Sequence, residues 1–266
     1  TYTVDMTATD STLDFTAMVG QAATVKVDYL DTEDSRYING IVTKFSLKAG
    51  ENQEALHYVA ELRPWFHLSG MTTNYKVFQN MTVDAIIEEV LADIGATDYE
   101  LKLNGTYAER EYTVQYRETA INFMSRLMEE EGIFFYFKHE DGLHTMIITD
   151  DASNYEACPG ISVAKMRSNA QEAAADNVIV ELSSGLQVFI NEYKTTDYSF
   201  EAPSTSLLVT TTGNDAGVQT TTSYYVYPSG FKETAPEETQ ANLRLEAFER
   251  EAKTVYGKGD NRSFIP

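Results

Sequence analysis

Few side chains in this 266-residue chain are equipped for chemistry: four histidines, one cysteine, two short carboxylate runs and scattered serines. His139 and His144 flank Asp141-Gly142. If that dipeptide is a two-residue hairpin turn supplying positive φ values, the two imidazoles face each other across the ladder. Two imidazoles begin a metal site, but zinc takes three or four protein ligands. Glu140 stands beside the pair, while Cys158 lies far along the chain. His57 and His67 sit in strand-like runs, where a lone histidine is ordinarily a surface or a satisfied core residue. Glu129-Glu130-Glu131 and Asp150-Asp151 would suit glycosidase chemistry only with two carboxyls about 5–10 Å apart and separated pKa values. In so acidic a chain, a solvated helix end and a strand end account for them. Ser69-Gly70 and Ser184-Gly185 lack the flanking glycines of a nucleophile elbow, and no glycine-rich loop leads from a strand into a helix. Trp65 reads as core filling. These spacings assign no catalytic, cofactor-binding or metal-binding residue.

Composition narrows the classes further. Acidic residues number 41 against 20 basic ones, a formal charge of -21. The basic residues are scattered, so the chain repels nucleic acid and anionic lipid rather than binding them. No run of about 18 apolar residues is present, so no stable membrane insertion is expected. A single cysteine forms no internal disulfide, which suits a reducing cytoplasm. The chain opens at Thr1 in a strand-like run without a basic or apolar leader, which reads as a segment of something longer.

Strand signals dominate the elements that must hold these residues. Thr24–Tyr29, Arg36–Leu47 and Leu56–Leu62 alternate with period two, the last two separated by the breaker-rich Ala49-Gly50-Glu51-Asn52. Ile133–Thr149 reads as the hairpin turning at Asp141-Gly142. Further strands are predicted at Asn177–Leu182, Leu186–Lys194, Leu207–Thr211 and Thr221–Tyr227, with Ser204–Gly230 forming a long-looped hairpin. Three helices are predicted. The first spans Val83–Ile94 between Thr82 and Gly95; the second spans Ala120–Glu131 between Thr119 and Gly132. The third spans Pro236–Tyr256 and ends at Gly257. Its seam of Ala241, Leu245, Phe248, Ala252 and Val255 is too short for a coiled coil and is predicted to pack mostly within the subunit. Ala170–Asp176 is a weak helix or a loop.

Several phrases read together resemble the valine-glycine repeat protein G (VgrG) family, the trimeric spike of bacterial type VI secretion. The resemblance is to its phage-baseplate-hub-like N-terminal region. It runs through Leu62-Arg63-Pro64-Trp65-Phe66, Val77-Phe78-Gln79-Asn80 and Val83-Asp84-Ala85-Ile86-Ile87-Glu88-Glu89-Val90-Leu91. It continues through Tyr112–Thr119 and Phe123–Phe137, where the ordered string from Val114 to Phe137 is specific. Gly40-Ile41-Val42-Thr43 and Tyr198–Pro203 add looser support.

That resemblance implies a mainly β fold with a few helices, built as two interleaved tail-tube-like β-barrel domains. Residues 1–70 would supply the N-terminal part of the first barrel. Residues 71–155 would form a second domain with two helices and a hairpin, and 156–266 would complete the barrels and add a C-terminal helix. It also implies a homotrimer that adapts the hexameric tail tube (hemolysin-coregulated protein) to a puncturing needle, with baseplate and effector proteins as partners. Such a hub is assembled in the cytoplasm and secreted through the type VI apparatus, and it carries no enzyme activity and no cofactor. Alternatives are the hub of a phage tail or phage-like injection particle, and, in another class, a carbohydrate-binding module using the 17 tyrosines or a polysaccharide hydrolase using Glu130 and Asp150.

Overall fold

The structure, a computed structural model, describes residues 1–9, 12–29, 35–48, 56–156, 163, 165–167, 178–213, 222–230 and 234–259. Cys158, Ala49–Asn52 and Ala170–Asp176 lie outside the described residues. The protein is mainly β with a few helices, as the sequence predicts, and includes a curled half-barrel sheet. It divides into two compact units, one carried by Thr1–Glu129 and Ile133–Ser162, the other chiefly by Val163–Asn261.

The first unit opens with a four-stranded antiparallel sheet in the order β1-β4-β3-β2. Its strands are β1 (Tyr2–Ala8), β2 (Ala22–Asp28), β3 (Ser35–Lys48) and β4 (Leu56–Arg63). A one-turn helix, α1 (Phe15–Met18), joins β1 to β2, capped by the Asp14 carboxylate on the Thr16 N–H. Period-two alternation in β4 buries Tyr58, Ala60 and Leu62, and a register shift between Val42 and Lys44 in β3 brings Val42 and Phe45 onto the same cluster. Phe45 stacks on Tyr58 with centroids 5.5 Å apart. After β4 the chain does not continue as a strand: Pro64 leads into a short 3-10 helix over Trp65–Gly70. His67 therefore lies on that helix and not in a strand, because proline removes a ladder donor and ends the run.

The larger core of this unit surrounds two helices. α2 (Val83–Asp93) buries Val83, Ile86, Ile87, Val90 and Leu91 along one face. α3 (Ala120–Glu131) buries Phe123, Met124, Leu127 and Met128, and the Thr119 hydroxyl accepts the Asn122 N–H at 3.3 Å. Around them run β5 (Thr73–Met81), β6 (Tyr99–Lys102), β7 (Arg110–Thr119), β8 (Phe134–Glu140) and β9 (Leu143–Thr149). β5 pairs antiparallel with β7 as a two-stranded ribbon, and β6-β9-β8 forms a three-stranded sheet. Each fully buried Leu, Ile, Phe or Met contributes roughly 1.5–3 kcal/mol, so this cluster dominates the unit's stability.

The second unit holds two small sheets and the third long helix. β10 (Lys165–Met166), β11 (Val178–Leu186) and β15 (Lys253–Gly259) form one sheet. β12 (Glu192–Thr195), β13 (Val209–Thr212) and β14 (Ser223–Val226) form the other, in the order β13-β12-β14. β13 and β14 are thus not a hairpin, because β12 lies between them, antiparallel to one and parallel to the other. The strand predicted at Leu186–Lys194 is likewise two elements, the end of β11 and the start of β12. α4 (Thr234–Ala252) buries Ala241, Leu245 and Ala252, with Ala241 and Leu245 against Tyr193 and Val209, and Phe248 packs alongside. The helix stops at Ala252 and the chain turns directly into β15, where Val255 is exposed. The predicted seam holds for four residues and fails at the fifth, since pairing with β11 claims the backbone of Lys253–Gly259.

Candidate functional site

His139 and His144 are register partners on β8 and β9, as the turn at Asp141-Gly142 requires. Positive φ is confined to Gly142 (+78°), so glycine alone supplies the left-handed residue. Their rings lie 5.9 Å apart at 28°. Neither is arranged as a metal ligand. His144 is 5% exposed; its Nε2 accepts the Trp65 backbone N–H at 2.8 Å, and its Nδ1–H donates to Asn39 Oδ1 at 2.6 Å. His139 Nδ1 accepts the Asn39 backbone N–H at 3.1 Å. The Asn39 amide in turn donates to Thr24 Oγ1 at 2.6 Å, which also accepts the Gly142 N–H at 3.2 Å. The lone pairs a metal would need are thereby engaged by amide donors. Burial pushes both imidazoles below their ordinary range, and for His139, with His144 as the second cause, the pKa falls to about 4. The cluster joins β2, β3, the residue after Pro64 and the β8–β9 hairpin. Among the described residues, no three His, Cys, Asp or Glu groups lie close enough to share a metal ion.

The paired carboxylates have a structural task as well. Asp150 accepts the Asn104 N–H at 2.9 and 3.1 Å, the Gly105 N–H at 2.6 Å and the Tyr107 hydroxyl at 2.8 Å. Asp151 accepts the Ser153 N–H at 2.7 Å and the Asn104 amide at 3.0 Å. Burial acts to raise the Asp150 pKa, but these donors outweigh it and hold the carboxyl below its ordinary value. The Ser153 N–H does the same for Asp151. A glycosidase needs one carboxyl raised so that it arrives protonated, and both of these are lowered. Glu129–Glu131 form the last turn of α3. Ser69 Oγ donates to the Phe66 carbonyl at 2.7 Å, which closes the 3-10 helix. Ser184 sits in β11 opposite Val255.

What the sequence reading missed is on the surface. The outer face of the β5–β7 ribbon carries Tyr75, Val77, Tyr112 and Tyr116, all exposed. Tyr75 and Tyr116 meet edge to face at 5.5 Å. A register shift beside Asn74 places Arg117 at φ +53°, and its Nε–H donates to the Tyr75 hydroxyl at 2.9 Å. A cleft of about 410 Å³ lies between the 3-10 helix and the end of α2, lined by residues that include Trp65, Leu68, Asp93 and Asp98.

The profile of the phage tail baseplate hub (GPD) family matches residues 1–266. The chain belongs to this family. Over 256 residues it is 30% identical to the type VI secretion system spike protein VgrG1c of Pseudomonas aeruginosa, covering 96% of this chain and 35% of that protein. It is 29% identical over 262 residues to the actin cross-linking toxin VgrG1 of Vibrio cholerae, covering 97% and 23%. The hub chain thus spans about a quarter to a third of the length of these relatives. Its fold is shared with the 43 kDa tail protein of prophage MuSo2 from Shewanella oneidensis, at a TM-score of 0.63 and 12% identity over 95% of this chain and 72% of that one. It is shared too with an Escherichia coli component of the type VI secretion system that is structurally similar to T4 bacteriophage tail proteins, at a TM-score of 0.59 and 23% identity over 70% and 49%. The VgrG resemblance read from Leu62–Phe66 and Val114–Phe137 is therefore a family relationship across nearly the whole hub chain.

Proposed function

We propose that this chain is the hub portion of a type VI secretion spike and works by shape and symmetry. Three copies form a ring whose two barrel-like units per copy present a pseudo-sixfold face to the hexameric tube of hemolysin-coregulated protein. The opposite side of the ring continues toward the needle, and baseplate and effector proteins attach to the assembly. The supporting observation is the alignment with spike proteins across 96% of the chain, inside a family described as a baseplate hub. The hub carries out no reaction: its paired aspartates are turn-forming acceptors, and its paired imidazoles form an internal joint. It is assembled in the cytoplasm and leaves through the secretion apparatus; none of its described helices is long and apolar enough to cross a membrane.

The test is deletion of the coding region for this chain in its host. Tube protein should then disappear from the culture medium and return on complementation. Unchanged tube secretion would overturn the proposal. The shared fold with a prophage tail protein favours a second reading, the hub of a phage-like particle. That reading predicts loss of intact tail particles, not loss of secreted tube protein.

A further inference from the structure

The first unit is built from two separate apolar cores that meet at a polar joint. One cluster, around Val42, Phe45, Tyr58 and Leu62, is drawn entirely from residues 2–62; the other, around α2 and α3, is drawn entirely from residues 65–148. They share no residue, and the chain passes from one to the other at Pro64, between β4 and the 3-10 helix. Where β3 lies against the β8–β9 hairpin, Asn39 spans the boundary. Its N–H donates to His139 Nδ1 at 3.1 Å, and its Oδ1 accepts from His144 Nδ1 at 2.6 Å. Its amide nitrogen donates to Thr24 Oγ1, which also takes the Gly142 N–H from the hairpin turn. The Tyr2 ring of β1 meets His139 edge-on, with centroids 5.7 Å apart.

Two bonds at this boundary require a neutral imidazole, since an imidazolium has two N–H donors and no acceptor. A proton on His139 strands the Asn39 N–H across the joint, and a proton on His144 strands the Trp65 N–H beside Pro64. Burial already disfavours a charge on either ring. His144 and Arg36 of β3 add to this at His139, while Asp98, just ahead of β6, opposes it at His144. β1 presents the Tyr2 phenol and β2 the uncharged Thr24. Beyond Pro64, His67 is held against Arg63 Nη1 at 2.9 Å. Freed from the joint, both rings regain water and titrate near about pH 6.5, so acid favours the separated arrangement. Separation leaves each core intact, because no buried apolar residue belongs to both. We propose that Asn39, His139 and His144 form an acid-released latch: protonation frees the β1–β4 sheet from the β8–β9 hairpin, with Pro64 as the tether, while both cores stay folded. The latch is closed at neutral pH and opens in an acidic compartment.

Hydrogen exchange of the 266-residue chain, read amide by amide at pH 7 and pH 5 and corrected for intrinsic rates, tests the latch. The Asn39 and Trp65 amides should lose protection by about tenfold or more at pH 5. The amides of Leu91 in α2, Met128 in α3 and Tyr58 in β4 should keep theirs. His139→Asn places an Oδ1 acceptor that does not titrate where Nδ1 stands, and should flatten the Asn39 response. Equal loss of protection at all of these amides would mean unfolding of the whole unit and overturn the latch. So would unchanged Asn39 protection at pH 5, or a full acid response at Asn39 in the folded variant. Should the variant not fold, the ring-proton shifts of His139 and His144 in the unchanged chain replace it. They should move over the same pH span as the Asn39 amide. An amide released only below about pH 4, in the range of the carboxylates, overturns the proposal.

Discussion

The imidazoles of His139 and His144 lie 5.9 Å apart at 28°, and each accepts a backbone N–H, from Asn39 and Trp65 respectively. Protonating either ring destroys an acceptor and places a charge in a buried joint between β3 and the β8–β9 hairpin. A histidine whose folded pKa lies below its unfolded value takes up its proton more readily when the chain is unfolded. Stability is therefore full above about pH 6.5, falls as the pH drops toward the folded value of about 4, and levels off below it. Urea midpoints measured from pH 7 to pH 4 should fall, and a His139→Gln variant should flatten the profile.

His144 makes the joint's buried hydrogen bond to Asn39 and also accepts the Trp65 N–H. His144→Ala strands the Trp65 N–H and the Asn39 carboxamide, and should cost about 2–4 kcal/mol in chemical denaturation. His57→Ala, at an exposed position of β4, should stay within about 0.5 kcal/mol.

Asp150 organises the Asn104–Tyr107 turn. Asp150→Ala should lower stability by about 2 kcal/mol, since charge-assisted bonds from two backbone amides and a tyrosine hydroxyl are lost. The thermal midpoint reads this directly. In a glycan-hydrolysis assay the unchanged chain and the variant should both give no turnover.

Phe123 is fully buried and stacks on Phe78 at 5.4 Å in the core between α3 and β5. Phe123→Ala should cost about 3–5 kcal/mol. In the second unit, Leu245→Ala should cost about 2–5 kcal/mol by opening the contact of α4 with Tyr193 and Val209. If the two units melt separately, calorimetry should show each substitution shifting a different transition.

Legibility in the sequence followed periodicity. β2, β3 and β4 were readable because apolar and polar residues alternate along them, and α2 and α3 because each buries one apolar face. β5 and β7 were missed, since they reverse the usual code: Tyr75, Val77, Tyr112 and Tyr116 face outward while Thr113 and Gln115 are buried. Alternation there gives no inner face to find. The end of α4 was misplaced because no breaker stands at Ala252; the first glycine comes at Gly257, five residues into β15. The histidine pair followed from Asp141-Gly142, but its partners Asn39 and Trp65 lie about 80–100 residues away, and no spacing rule reaches that far. The Tyr75–Arg117 contact was hidden in the same way, because it depends on an extra residue in β7 and a left-handed Arg117.

Electron-microscope averages of the chain mixed with the hexameric tube ring, viewed down the long axis, test the hub role most directly. The account predicts a threefold ring seated coaxially on a sixfold one. Isolated single copies beside bare tube rings, with no threefold average at any mixing ratio, would contradict it.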